Sequence, residues 1–293
     1  MRIKFLLNPA AGKCRAEKLW PKIKDFFDGR KIACDLKKTT GPNHATELAR
    51  KAVESGFDTI VSIGGDGLTN EIANGIIGSD AALGIIPCGE SNDFPKMLGL
   101  SGKDWEGACK VIAEGLTRKI DVGMINGRYF LNVVGIGIDG EVVEAKARAK
   151  KYMPGFLGYF IQSFMALLMY KPKKVNIRFN GKSVDATVLS LSIGNGRCCG
   201  GGFLFTPEAE FDDGILDVCL VRFTNRFRMI WDLPKVPKAE HVKLPYVSMY
   251  KAKELTVTSE MLLTCHIDGE VAKAHKFEIN ILPQKLRVLA KKP

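Results

Sequence analysis

Gly64, Gly65 and Gly67 surround one carboxylate, Asp66, in the stretch SIGGDGLTNEIANGI that runs from Ser62 to Ile76. Backbone without Cβ atoms can approach a pyrophosphate closely, and a helix starting here would aim its N-terminal amides at the same place. An unpaired acid would repel that phosphate. Asp66 therefore predicts a divalent cation such as Mg²⁺, held directly or through water, or an ordered cationic neighbour.

Three further stretches carry residues of the right type. NPAAGK, Asn8 to Lys13, ends the first apolar run: Pro9, Ala10, Ala11 and Gly12 form either a turn whose backbone N–H groups, Pro9 having none, face phosphate with Lys13 as a point charge, or a plain strand-to-helix turn. GIIPCGESNDF, Gly84 to Phe94, repeats the order strand, glycine, acid, with Ser91 or Asn92 as a helix cap and Asp93 as a second acid able to share one metal–nucleotide complex with Asp66. HIDGEVA, His266 to Ala272, reads as a hairpin whose turn is Asp268-Gly269, so Glu270 opens the next strand. If the two parts of the chain face each other, Glu270 could serve as the base for an acceptor hydroxyl.

The elements that must position these residues fall into two textures. From Arg2 to about Ile120 apolar runs alternate with helical patterns, which predicts βα units around a largely parallel sheet covered on both faces. Ala45, Leu48, Ala49, Ala52 and Val53 keep helical spacing up to Gly56, a fitting left-handed cap. Beyond Asp121, Asn126-Gly127 and Asn180-Gly181 sit between strand-like runs, so the second part is expected to be antiparallel and β-rich, a sandwich or open barrel. The expected domains are 1–121 and 122–284. One segment resists the pattern: GFLGYFIQSFMALLMY, Gly155 to Tyr170, is apolar, flanked by Lys150, Lys151, Lys171, Lys173 and Lys174, and shorter than the roughly 20 residues a spanning helix needs. It reads as a helix packed on the second domain's sheet or as one touching a bilayer interface.

At 293 residues the chain can bury two cores, and its net charge of +11 favours polyanionic partners: nucleic acid, an anionic membrane surface or nucleotide phosphates. The eight cysteines show no C-x-x-C pair and no zinc spacing, and the first residues lack signal-peptide anatomy. Buried thiols in a reducing, cytoplasmic setting are expected.

Together NPAAG, GGDG followed by NE, GIIPCGESNDF, PEAEFDDGILDV and DGE resemble the soluble diacylglycerol kinase catalytic-domain family of lipid kinases, over nearly the whole chain and in the family's order. The resemblance implies an α/β nucleotide domain, a β-sandwich domain, ATP in the cleft between them, and a last strand near 285–293 that returns to the first domain. Carried over by motif, ATP would meet Asn8 through Gly12, Thr39, Gly65 through Glu71 (including Leu68, Thr69 and Asn70), and the loop of Glu90 and Asn92. Glu270 would match the proton acceptor. Asp213 would match a Mg²⁺ ligand outside the catalytic step, joined by backbone oxygens of Glu210 and Ile215. Two departures stand out. Leu68 follows GGDG where the family has threonine, which moves or removes one hydroxyl contact to phosphate. Glu90 replaces a nucleotide-binding threonine, placing an extra anion that Lys13 or Mg²⁺ would have to offset.

The expected function is ATP-dependent transfer of a γ-phosphoryl group to a lipid hydroxyl at an anionic membrane surface, by a peripheral protein without a transmembrane segment and without a nucleic-acid partner. Asp66 would organise the metal–nucleotide complex, Asp93 would support it and Glu270 would take the proton. A kinase of a soluble acceptor such as NAD is the rival enzyme, but no second glycine- and threonine-rich signature of that kind is present. A non-catalytic nucleotide- or lipid-binding regulator is the rival of another class. The sequence sets no oligomeric state.

Overall fold

Apolar runs separated by helical segments can pair only in parallel, because each helix carries the chain back across the sheet before the next strand starts. The computed structural model, which describes residues 2–148 and 155–291, follows that logic in its first part. The order is β1 (Ile3–Leu7), α1 (Ala11–Asp28), β2 (Cys34–Lys38), α2 (His44–Glu54), β3 (Thr59–Gly64), α3 (Asp66–Ile76), β4 (Ala82–Pro87), α4 (Asp93–Met97) and α5 (Trp105–Glu114). β3 lies between β1 and β4, and β2 forms the edge beside β1, all in parallel register. Every residue of β3 and β4 is buried, as expected of central strands covered on both faces. α2 buries Ala45, Ala49 and Ala52 and is followed by Gly56 at φ +79°, so the helix stops where the sequence places its left-handed residue.

The chain divides into two compact units, Met1–Ile120 with Gln284–Pro293, and Asp121–Pro283. The second contains β6 (Arg128–Phe130), β7 (Val133–Gly137), α6 (Ile138–Arg148), α7 (Gly155–Met169), β8 (Lys173–Phe179), β9 (Lys182–Gly194), β10 (Leu216–Arg222), α8 (Arg226–Asp232), β11 (Val247–Ala252) and β12 (Glu254–Ile267). β5 (Thr117–Ile125) leads into this unit, and β13 (Glu270–Leu289) leaves it to pair in parallel with β4 at Arg287 and Val288. Alternating residues of the second unit's strands build an aliphatic core that includes Val134, Ile177, Leu191, Val218, Val257 and Phe277. β9 and β12 each pair with β8 along one half and with β7 along the other, which folds the antiparallel array over that core. The result is the β-rich, sandwich-like unit expected beyond Asp121.

Three turns set its register. Asn126-Gly127 joins β5 to β6, Asn180-Gly181 joins β8 to β9, and Asp268-Gly269 joins β12 to β13, each with positive φ at both residues, as mirror-image hairpin turns require. The third turn does more than reverse the chain. The Asp268 carboxylate accepts hydrogen bonds from the backbone amides of Leu131 (2.6 Å), Asn132 (3.0 Å) and Val133 (2.9 Å), and its own amide donates to Val133 O. One acid thereby ties the β6–β7 connection to the turn that precedes Glu270.

The apolar segment ending at Tyr170 is α7. It buries Leu167 and Tyr170 on one side while leaving Phe164, Met165, Leu168 and Met169 exposed on the other, so it combines features of both readings. Lys150 and Lys151, which flank it in sequence, lie outside the described residues. No described helix is long and apolar enough to cross a membrane.

Removing the Asp268 carboxylate would strand three amides of buried residues. Asp268→Ala is expected to cost about 3 kcal/mol of unfolding free energy, because each charge-assisted bond is worth more than a neutral one and the amides lose their acceptor. Urea titration checks this: the midpoint should fall with the slope unchanged.

Candidate functional site

The carboxyl ends of parallel strands are where loops of a covered sheet are free to meet ligands. In the first unit β1, β2, β3 and β4 end in Asn8–Lys13, Thr39, Gly64–Gly67 and Cys88–Asn92, and strand register sets these segments side by side. The Asn8 amide donates to Ile63 O and the Thr39 amide to Leu7 O. Gly12, Lys13 and Cys14 all take left-handed conformations, so the first turn coils before α1 proceeds as a right-handed helix. A Cβ on Gly12 would come within 2.1 Å of the Cys88 carbonyl oxygen.

The β3 and β4 turns touch backbone to backbone. A Cβ on Gly89 would lie 2.5 Å from the Gly65 α-carbon, closer than real side chains approach, so Gly89 has no substitute. Asn92, itself at φ +50°, folds its side chain back, accepting from the Gly89 amide and donating to the Gly89 carbonyl at 2.9 and 2.8 Å. Asn92 occupies the cap position of α4, yet its side chain makes no capping bond: the predicted cap is instead a loop clamp. The clamp brings the starts of α3 and α4 together. Asp66, the first residue of α3 and half-buried, accepts from the Phe94 amide at 3.1 Å.

Several residues expected at a nucleotide face elsewhere. Leu68 is buried, with its side chain against Gly64. Thr69 is fully buried, its hydroxyl bonded to Gly65 O and sharing a 3.0 Å contact with Ser62 Oγ, so it cannot stand in for the missing threonine. Asn70 is buried against Asn74. Glu71 accepts from the Ala45 amide and so caps α2. What this helix presents to a ligand is its backbone start and Asp66. Asp93 also departs from expectation: its side chain is buried and paired with Lys96 at 3.1 Å, a neutralised acid instead of an open metal ligand. Glu90 is exposed at the tip of its loop, and Lys13 is exposed on the first turn.

In the second unit Glu270 is half-buried and its Oε2 accepts from Arg128 Nη2 at 2.5 Å. The guanidinium holds one carboxylate oxygen and orients the other. The sequence reading missed Arg128, because pairing Arg128 with Glu270 needs the Asp268 tie. Around Asp213, Oδ1 accepts from the Ile215 amide, while Oδ2 lies 4.0 Å from Lys251 Nζ. Lys251 also stands 3.7 Å from Asp217 Oδ2, a buried oxygen with no hydrogen-bond donor, and burial raises the Asp217 pKa. Among the described residues no three His, Cys, Asp or Glu side chains cluster as a metal site. A hard cation there would rest on one carboxylate and carbonyl oxygens, a donor set that suits Mg²⁺ and competes with the Lys251 ammonium.

The second unit also contains an apolar cavity of about 80 Å³ whose walls include Leu167, Leu189, Phe203, Val221 and Met229, with Asp139 and Ser190 among its few polar groups. Asp139 is fully enclosed, accepts from Ser190 and Ser192, and is pushed up to about 6 by burial. His266 is likewise enclosed, with Nδ1 unpartnered, and burial pushes it down to about 4. The two meet across Gly135, where a Cβ would lie 2.5 Å from His266 Nε2 and 2.7 Å from Asp139 Cβ. Neither residue stood out in sequence, since a lone acid after an apolar run is an ordinary turn signal. None of the eight cysteines forms a disulfide, and burial raises the thiols of Cys88, Cys109, Cys219 and Cys265.

Residues 2–125 match the diacylglycerol kinase catalytic domain family, and residues 132–290 match the family described as the YegS C-terminal NAD kinase beta sandwich-like domain. A diacylglycerol kinase of Mycobacterium tuberculosis (strain H37Rv) is 32% identical over 251 residues, covering 84% of this chain and 81% of its own. One of Bacillus subtilis (strain 168) is 28% identical over 271 residues, 92% of this chain and 89% of its own. Two crystal structures of Bacillus anthracis str. Sterne proteins share the fold: one at TM-score 0.82 and 26% identity over 99% of this chain and 95% of that one, the other, described as a diacylglycerol kinase, at 0.76 and 23% over 99% and 97%.

The Asp139 and His266 shifts act on stability with opposite signs. Asp139 keeps its proton to about pH 6 when folded but loses it near 3.8 when unfolded, so its contribution falls as pH rises through that window. His266 stays neutral down to about pH 4 when folded but protonates near 6.5 when unfolded, so its contribution rises over 4 to 6.5. At 1.36 kcal/mol per pKa unit each is worth about 3 kcal/mol, and they offset each other. Relative to the parent, Asp139→Asn should therefore gain stability as pH rises from 4 to 6.5, and His266→Asn should lose it, by about 3 kcal/mol each in denaturant titrations across that range.

Proposed function

This chain belongs to the diacylglycerol kinase catalytic-domain family, whose members are kinases with an alcohol acceptor, and we propose that it moves the γ-phosphoryl group of ATP to the hydroxyl of diacylglycerol or a closely related lipid. The observation that carries this reading is the clamp of Gly65 on Gly89, which gathers two helix starts over one half-exposed carboxylate. Backbone amides at a helix start favour phosphate, and Asp66 supports the cation that accompanies it. Mg²⁺ commonly rests on one or two carboxylates together with the substrate's own phosphates, so Asp66 without a second open acid is a sufficient partner. Gly67 is exposed, and a Cβ there would meet nothing in the protein, which suits a backbone kept bare for a ligand.

Phosphoryl transfer asks the protein mainly for positioning and charge neutralisation. In this reading the amides of the Asn8–Gly12 turn and of the α3 start hold phosphate oxygens, and Lys13 adds a mobile positive charge. Glu270 accepts the acceptor hydroxyl's proton through the carboxylate oxygen that Arg128 leaves open. Asp213, with the carbonyls of Glu210 and Ile215, would hold a second Mg²⁺, which would steady the 210–217 segment. The apolar cavity favours a lipid acceptor over a water-soluble one. The match of residues 132–290 to an NAD kinase-like sandwich supports the competing reading, a soluble acceptor such as NAD.

Incubation with Mg-ATP and diacylglycerol in mixed vesicles, beside NAD as rival acceptor, decides between them: lipid-dependent phosphate incorporation is expected, and transfer to NAD without transfer to lipid would overturn the lipid reading. Glu270→Gln should lower kcat by about 10² to 10⁴ with ATP affinity nearly unchanged, as measured by steady-state kinetics and nucleotide titration. Magnesium should raise the melting temperature of the parent protein, and Asp213→Ala should abolish most of that rise while leaving ATP titration intact. Identical melting of the parent in magnesium and in chelator would remove the second Mg²⁺ from the scheme.

A further inference from the structure

The outer face of α7 carries Ile161, Phe164, Met165, Leu168 and Met169, spaced i, i+3, i+4, i+7 and i+8, and all are exposed. That spacing makes one continuous apolar stripe, of the kind a helix normally turns toward a core. Here the core-facing side is a different one, formed by Leu167 and Tyr170. α8 repeats the arrangement on a smaller scale. Met229 points inward and is buried, whereas Phe227 and Trp231, one turn apart, are 79% and 82% exposed. The two helices adjoin: they pack against each other, and Arg226 Nη2 at the start of α8 donates to Tyr170 O just past the end of α7 at 2.9 Å.

We propose that this paired face inserts into the interfacial layer of an anionic bilayer, with Trp231, Phe227 and Met169 as its deepest side chains. Three observations choose the occupant. The face combines a tryptophan, a phenylalanine and methionines on rigid helices, side chains that gain by leaving water yet tolerate the headgroup boundary. Its surroundings are cationic: from Asn225 to Lys243 two acids, Asp232 and Glu240, stand against Arg226, Arg228, Lys235, Lys238 and Lys243, and Asp232 is buried in a pair with Lys235. Lys171 adds an exposed positive charge at the end of α7. Last, the inner sides of the same two helices line the apolar cavity through Leu167 and Met229, so the helix pair has bilayer-compatible surface on one side and the cavity on the other. The proposal rests on the lipid-kinase reading for its purpose but not for its physics.

A purely electrostatic attachment would vanish at high salt, whereas an inserted apolar face keeps part of its affinity. Trp231 reports directly on the difference. With vesicles of phosphatidylcholine and phosphatidylglycerol, its emission should shift to the blue and be quenched by lipids brominated near the headgroup, and Trp231→Phe should remove that signal from the background of Trp20 and Trp105. Binding in sedimentation should persist in part at about 0.5 M salt, where charge attraction is largely screened. Phe227→Ser with Trp231→Ser should weaken vesicle binding about tenfold or more, while phosphate transfer to a short-chain acceptor dispersed in detergent stays at the parent level. Equal vesicle binding by the parent and the double variant would overturn the proposal, as would a concentration-dependent dimer that the double variant abolishes. Vesicle insertion without any lipid phosphorylation would leave the docking face standing and bring down the lipid-kinase reading instead.

Discussion

The contact of the Gly65 backbone with the Gly89 backbone is the constraint on which the first unit's site depends. Two adjacent parallel strands end within a few ångströms of each other, and their loops would normally be kept apart by side chains. Glycine at both positions lets the loops close, and Asn92 locks the closed form through the Gly89 amide and carbonyl. Everything chemical there follows from that closure. α3 and α4 start side by side, Asp66 can reach the Phe94 amide, and helix-start amides converge on one place instead of two.

The second unit solves its positioning problem with charge. Asp268 gathers three amides in a hairpin turn and thereby sets Glu270 next to Arg128. A carboxylate is suited to this because it accepts several hydrogen bonds at once, and charge-assisted bonds hold their geometry better than neutral ones. The enclosed Asp139 and His266 are the opposite case: burial disfavours the charged form of each. Asp139 borders the apolar cavity beside Ser190, and His266 stands next to it across Gly135, although a core could be built more stably without them.

α7 and α8 link the cavity to the protein's surface. A helix that is apolar on every side is ordinarily buried, and one that is apolar toward water awaits a partner. Both helices bury one side in the second unit's own core and expose the other. A kinase whose acceptor dissolves in membranes has a use for such elements, since its substrate must leave a bilayer without crossing much water.

Much of this was legible in the sequence because it follows from local rules. Apolar runs alternating with helical spacing specify a parallel βα sheet; Asn-Gly and Asp-Gly pairs specify hairpins; glycines at strand ends mark where backbone must be bare. Those rules need only a few neighbouring residues, so Asn8–Lys13, Gly64–Gly67, Gly89–Asn92 and Glu270 could all be marked before any fold was known. The tertiary structure decided which way each side chain points. Thr69 and Glu71 sit in the loop motif by sequence but turn toward Ser62 and the α2 start, because α3 packs against β3 on one side and against α2 on another. Asp93 found Lys96, Glu270 found Arg128, and Asp139 found Ser190, pairings whose partners are three, 142 and 51 positions away. The same holds for the exposed stripe of α7: its spacing can be counted in the sequence, but only packing determines that another side of the helix meets the core and this one meets water.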